Sequence, residues 1–171
     1  MYTVFLLKSY INIIVRIIPE LVELTDSPWK VLPGRIHSAT LEEARDRYAI
    51  NDLRRTLFGG FLETIVKRVD AQCLIIFLNG SYVTENPYPN DYDVCRNPNG
   101  VDHTRLDPIF RERRIRAQQK IRFLGEFFPS TTIVNETRET FVDFFQNEKT
   151  TGRKKGIVKI CLETDPMLLG D

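Results

Sequence analysis

At 171 residues, 42% hydrophobic and 27% charged, the chain has the size of one soluble domain that buries a core without staples. A net charge of +1 excludes a protein that binds nucleic acid or membrane through bulk charge, leaving only local clusters for such roles. Cys73, Cys95 and Cys161 are an odd count without Cys-x-x-Cys spacing, which predicts reduced structural thiols and a cytoplasmic setting.

Met1 to Ile18 is apolar but broken by Lys8, Asn12 and Arg16, so it lacks the ~20 clean residues of a membrane span. No small-residue cleavage site follows it, which argues against a secretory signal. Val4, Leu7, Ile11, Ile14 and Ile18 step by three and four, the pattern of an amphipathic N-terminal extension, 1–18, ended by Pro19. A single domain, 19–171, follows. Its first stretch holds Pro19, Pro28, Pro33 and Gly34 and reads as an irregular arm pinned by Trp29 and Leu32. His37 closes the arm as a structural hydrogen-bonding residue.

Thr40-Leu41-Glu42-Glu43 is a capping box, and the helix it opens runs to about Tyr48. Asn51 or Asp52 caps a second helix, in which Leu53, Leu57, Phe61, Ile65 and Val69 recur every four residues beside Phe58, Leu62 and Val66. Its charged residues, Arg54, Arg55, Glu63, Lys67 and Arg68, read as the wet face. Gly59-Gly60 weakens the helix or admits another backbone. Leu74 to Leu78 is apolar on both faces and predicts a central strand covered on both sides. Gly80-Ser81 ends it, Pro87 and Pro89 constrain the next turn, and Asp91-Tyr92-Asp93-Val94 resumes as a strand.

Asp107-Pro108 starts a third helix, with Ile109, Arg113, Ala117, Ile121 and Leu124 along one side. Its polar surface is basic: Arg111, Arg113, Arg114, Arg116, Lys120 and Arg122 against Glu112 alone. Glu126-Phe127-Phe128-Pro129 reads as a strand, with Thr131 to Val134 as another or its continuation. Asn135 to Thr140 offers caps for a short helix with Phe141, Phe144 and Phe145 inward. A basic turn, Lys149 to Lys155, leads into a last strand, Ile157 to Leu162. Alternating elements without repeats predict an α/β (α+β) domain with a mixed β-sheet flanked by helices.

The chemistry concentrates at the centre. Asp91 and Asp93, two apart on a strand, point to one face, and like charges that close are stable together only with a cation between them. Oxygen-only ligands favour Mg²⁺ or Mn²⁺ together with substrate phosphates. Upstream, Gly80 lets a triphosphate approach the backbone, while Ser81 and the residues after it, through Thr84, offer donors to its oxygens. Lys155, beside the last strand, is placed to hold the triphosphate tail; Gln146 is a weaker candidate for reading a base or sugar. Taken alone, Asp91-Tyr92-Asp93 also suits a solvated turn, and the basic helix and basic turn also suit plain wet surfaces.

Gly80-Ser81 followed by Asp91-x-Asp93 after an apolar strand resembles the signature of the polymerase-beta-like nucleotidyltransferase superfamily. The resemblance is closer to an uncharacterised bacterial family within it. It rests on Phe77 to Thr84, Pro89 to Val94, Leu32 to His37, Phe144-Phe145-Gln146 and Lys155 to Val158, which together span most of 19–163. It implies the mixed sheet of that superfamily and two Mg²⁺ or Mn²⁺ ions. It also implies transfer of a nucleoside monophosphate from a nucleoside triphosphate to an acceptor hydroxyl on RNA, protein or a small molecule. A third carboxylate is needed to complete the metal site and deprotonate the acceptor: Glu126 is the first choice and Asp143 the second. Small proteins of this kind often serve as toxins, which implies a possible antitoxin partner. The alternative is a catalytically silent module of the same fold that binds nucleotide or RNA. A metal-dependent phosphohydrolase is weaker still, because only His37 and His103 are available to it.

Overall fold

A computed structural model describes residues 18–170 of the chain, so the amphipathic reading of the N-terminal extension falls outside the described residues. The sheet is built from β1 (Ile36–Ala39), β2 (Ile75–Asn79), β3 (Tyr92–Arg96), β4 (Gly125–Pro129) and β5 (Ile157–Cys161). Its order is β1-β5-β2-β3-β4, with β5–β2 and β2–β3 antiparallel and the two outer pairs parallel. The mixed sheet and the central place of β2 follow the sequence reading. β1 does not: Ile36–Ala39 lies in the arm that was expected to be irregular. It gains its pairing from β5, a partner more than a hundred residues away that local pattern cannot reveal.

The register sorts the strands into two faces. Ile76, Leu78, Tyr92, Val94, Phe127, Val158 and Ile160 are buried on one face, beneath the helices. On the other, Asn79 is level with Asp93, and Asp93 with Glu126. Ile75 and Phe77 on that second face are only half-buried, so β2 is covered fully on one side rather than both.

Helix α1 (Leu41–Tyr48) opens with the predicted capping box, in which Thr40 Oγ1 accepts from the Glu43 amide at 3.1 Å. Helix α2 (Asp52–Val69) is capped by Asn51, whose side chain accepts from the Arg54 amide. Its buried stripe is Arg54, Leu57, Phe58, Phe61, Thr64, Ile65 and Arg68, while Leu53 and Val66 face outward. Two arginines read as wet face are therefore core residues, and two expected core residues are exposed. Helical pattern alone missed the rotation because it counts every arginine as polar, whereas a guanidinium that stacks on rings or bonds carbonyls can be carried inside.

Gly60 and Gly59 play opposite parts. A Cβ at Gly60 would meet the Phe123 carbonyl oxygen at 2.2 Å, whereas at Gly59 it would meet nothing within 4 Å. Gly60→Ala is expected to destabilise the fold by about 1–3 kcal/mol through overpacking against backbone. Gly59→Ala is expected to be neutral, or to stabilise by up to about 1 kcal/mol through helix propensity. Urea denaturation of the two variants checks the pair.

The third helix is not continuous. Asp107 caps a single turn, α3 (Pro108–Arg111), and Glu112 leaves helical geometry at φ −97, ψ 114. A short turn at Arg113–Ile115 follows, and α4 (Arg116–Phe123) then starts on a different face. Gln119 and Phe123 are buried while Ile121 is 81% exposed, so the expected apolar side of 109–124 does not exist. Gln119 instead ties α4 to its surroundings, donating to the Ile109 carbonyl and accepting from the Phe127 amide.

Thr131 to Val134 contributes only an isolated bridge, Ile133 to Thr140, rather than a strand. Thr140 caps α5 (Phe141–Phe144), and the chain closes with α6 (Pro166–Leu169). All three cysteines are unpaired. No helix among the described residues is long and apolar enough to cross a membrane.

Candidate metal and phosphate site

β2 runs directly into a tight 3₁₀ turn, Gly80–Val83. Gly80 adopts φ +78, and a Cβ there would strike the Asp93 carboxylate, with Oδ2 at 2.4 Å. Both the backbone geometry and the space therefore require glycine. The turn is braced from behind by Arg54, whose guanidinium donates to the carbonyls of Tyr48, Tyr82, Thr84 and Asn86. The Thr84 hydroxyl donates to the Ser81 carbonyl at 2.7 Å and accepts from the Asn86 amide. Thr84 thus shapes the turn with its hydroxyl and also lines the cleft beside Ser81. Ser81 keeps the place expected of it, lining the cleft next to Gly80.

Asp93 sits between two neighbours in register, Asn79 on β2 and Glu126 on β4. Its carboxyl is pushed up to about 7, first by burial, then by the charges of Asp91 and Glu126; Lys155 and Lys120 pull the other way. Lys155 is buried, and its ammonium donates to the Gly80 carbonyl at 3.3 Å. Burial lowers it to about 8, against the opposing pull of Asp93 and Glu148. Asn79 Oδ1 is buried without a hydrogen-bond partner among the described residues, on the same sheet face as the carboxylates.

The structure thus brings Gly80, Ser81, Asp91, Asp93 and Lys155 to one cleft of about 950 Å³. Glu126 flanks Asp93 in the sheet but lies outside the cleft lining. Asp143, the second choice for a third carboxylate, also lies outside the cleft lining; it is exposed and accepts from the Thr140 hydroxyl at 2.5 Å within the cap of α5. Gln146 donates to its own helix at the Val142 carbonyl. In the basic turn, Arg153 and Lys154 face Asp26 and Glu139, while Lys149 and Lys155 line the cleft.

Lys120 is the site residue that sequence reasoning missed. Its ammonium lies 2.5 Å from Asp91 Oδ2. Assigned to a basic helix face, it gave no sign of reaching the carboxylates; the break after Arg111, which re-aims α4, puts it there. Among the described residues, no three His, Cys, Asp or Glu side chains are already gathered as a metal-binding group. The donor set nevertheless suits a hard cation: hard oxygens, an unpartnered amide oxygen, and a buried carboxyl raised by like charges that a cation would offset. Lys120 stands in for part of that positive charge. Its side chain is 49% exposed, so the pair is weak enough to yield. Lys120→Gln is expected to tighten Mg²⁺ binding about two- to five-fold by calorimetry, the range of a weak competing ion pair.

A protein-family profile described as Family of unknown function (DUF6932) matches residues 25–161, most of the 171. The chain belongs to that family. No curated protein and no solved structure matches it.

Proposed function

We propose, for this member of a family without an assigned activity, a metal-dependent nucleotidyltransferase that moves a nucleoside monophosphate from a triphosphate to an acceptor hydroxyl. One observation carries the reading: Gly80, at φ +78, packs directly on the Asp93 carboxylate, setting a tight glycine turn against the carboxylates. Asp91 and Asp93, with Glu126 beside them, are the residues that would hold Mg²⁺ or Mn²⁺. When bound, the ion supplies charge that neutralises the triphosphate. The Gly80–Ser81 turn and Lys155 orient the triphosphate tail. In the reaction, the acceptor oxygen bonds to the α-phosphorus as the α–β bridging P–O bond breaks, and pyrophosphate leaves with that electron pair. Glu126 takes the hydroxyl proton. Positioning and charge do the rest, as in phosphoryl transfer generally.

The acceptor side is suggested by α4. Lys120 and Arg122 are both exposed there, on different sides of the helix, and Lys120 touches Asp91, so an RNA acceptor would meet a cation beside the carboxylates. Incubation with each labelled triphosphate, Mg²⁺ and extracted RNA or protein should label an acceptor; no transfer from any of the four by the folded protein would sink the proposal. The silent, nucleotide-binding reading is favoured by one observation, the Asp91–Lys120 contact. It predicts nucleotide binding without transfer.

A further inference from the structure

The phosphate turn and carboxylates account for only one end of the cleft. Five aromatic residues are part of the rest, Trp29, Phe128, Phe141, Phe144 and Phe145, beside polar groups that include Glu139, Glu148 and Lys149. Four of the aromatic residues form a built wall. Phe128 packs against Phe141 and Phe145 with ring centroids 4.6 and 5.1 Å apart, and Phe144 meets Phe145 edge-on at 5.4 Å. Phe128 stands two residues from Glu126 on β4, hence on the same sheet face, one pleat away. The wall is therefore fixed to the strand that flanks Asp93.

Its rings are not equally committed. Arg116 lies over Phe128 and Phe141, at 4.5 and 5.8 Å from their centroids, so those two already hold a cation. Trp29 and Phe144 are 39% and 37% exposed, although Trp29 was expected to pin the arm and Phe144 to point inward. The exposed rings thus belong to the same hollow as the phosphate grip, where flat apolar surface is offered beside charge. A flat heterocycle joined to a polyanion matches both ends at once; an aliphatic ligand matches neither the ring faces nor the lysine.

We propose that this wall is a nucleobase subsite, with the base stacked on Phe144 and Trp29 while the phosphates reach Gly80, Ser81 and Lys155. The inference rests on the nucleotide reading above and adds where the base sits. Stacking is tolerant of base identity, so all four triphosphates should bind, differing only in degree.

Trp29 is the only tryptophan, which makes its emission a local reporter. The full chain would be titrated with ATP, GTP, CTP, UTP and inorganic tripolyphosphate in Mg²⁺, following emission and, by calorimetry, affinity. The nucleotides should quench Trp29, and tripolyphosphate should bind more weakly without quenching. Phe144→Ala should weaken nucleotide binding about ten-fold and leave tripolyphosphate unchanged, with Phe144→Tyr restoring the nucleotide affinity. Equal affinities for nucleotides and tripolyphosphate, or equal losses in Phe144→Ala, would overturn the subsite and leave the phosphate site standing. If none of these probes binds, the nucleotide reading falls with it.

Discussion

Asp93→Asn is expected to abolish the proposed nucleotidyl transfer, by on the order of 10³-fold or more, and at the same time to stabilise the metal-free protein above neutral pH. The first effect follows from position: Asp93 is the carboxylate packed on the phosphate turn and flanked by Asp91 and Glu126. Asparagine keeps the shape and loses the charge a metal needs, so Asp91→Asn is expected to lose transfer as well. The second effect follows from linkage. The folded carboxyl titrates at about 7 against an ordinary value of 3.8, so the folded state binds more protons than the unfolded one between them. Stability of the metal-free chain therefore falls as pH rises through that window and stays low above it. Lys155 contributes with the opposite slope in a separate window. Its folded value of about 8 lies below the usual 10.5, so stability rises with pH between them.

Thermal denaturation from about pH 5 to about pH 8 checks this, because the lysine is silent over most of that range. The wild type should lose stability across it, Asp93→Asn should lose less, and saturating Mg²⁺ should restore the wild type mainly at the upper end. A variant that keeps transfer, or a pH profile identical to wild type, would remove Asp93 from the centre of the site.

The parts of the fold that local chemistry dictates were legible in the sequence. The Thr40–Glu43 box, the Asn51 cap, the Asp107–Pro108 start and the apolar β2 all stand where their residues put them. The Gly80 turn meets Asp93 through the antiparallel register of β2 and β3, in which Asn79 is level with Asp93. What could not be read depends on distant partners. β1 exists only through β5, and the rotation of α2 depends on what Arg54 and Arg68 meet across the core. Lys120 reaches Asp91 only because the helix breaks at Glu112. The aromatic wall escaped for a related reason. Phenylalanines clustered near α5 read as core, and only the tertiary fold leaves Phe144 facing a cleft.

The two arginines of α2 should answer in opposite directions when each is replaced by methionine. Both are almost fully buried, Arg54 at 1% and Arg68 at 0% exposure. Arg54 is fully spent on oxygen: its guanidinium serves the carbonyls of Tyr48, Tyr82, Thr84 and Asn86, and its charge lies 4.7 Å from the Tyr82 ring centroid. Arg54→Met leaves those carbonyls buried without a donor and is expected to cost about 3–5 kcal/mol. None of the three side-chain nitrogens of Arg68 meets an oxygen acceptor among the described residues, and the Cys73 thiol beside it offers only a weak one. It lies over Phe127 and Phe110 at 3.6 and 4.2 Å from their centroids, and burial lowers it to about 10. Arg96, another buried cation, lowers it further. Ring faces return about 2 kcal/mol to a desolvated cation, less than the several kcal/mol that burying it costs. Arg68→Met fills the same space without charge and is expected to raise stability by about 1–3 kcal/mol. Urea denaturation separates the cases, and a loss of more than about 1 kcal/mol in Arg68→Met would mean the two rings outweigh desolvation. The pair also tests the site. Arg54 braces the carbonyl side of the phosphate turn, so Arg54→Met should weaken triphosphate binding even at temperatures where it stays folded. Arg68 touches nothing in the turn, so its replacement should leave that binding unchanged.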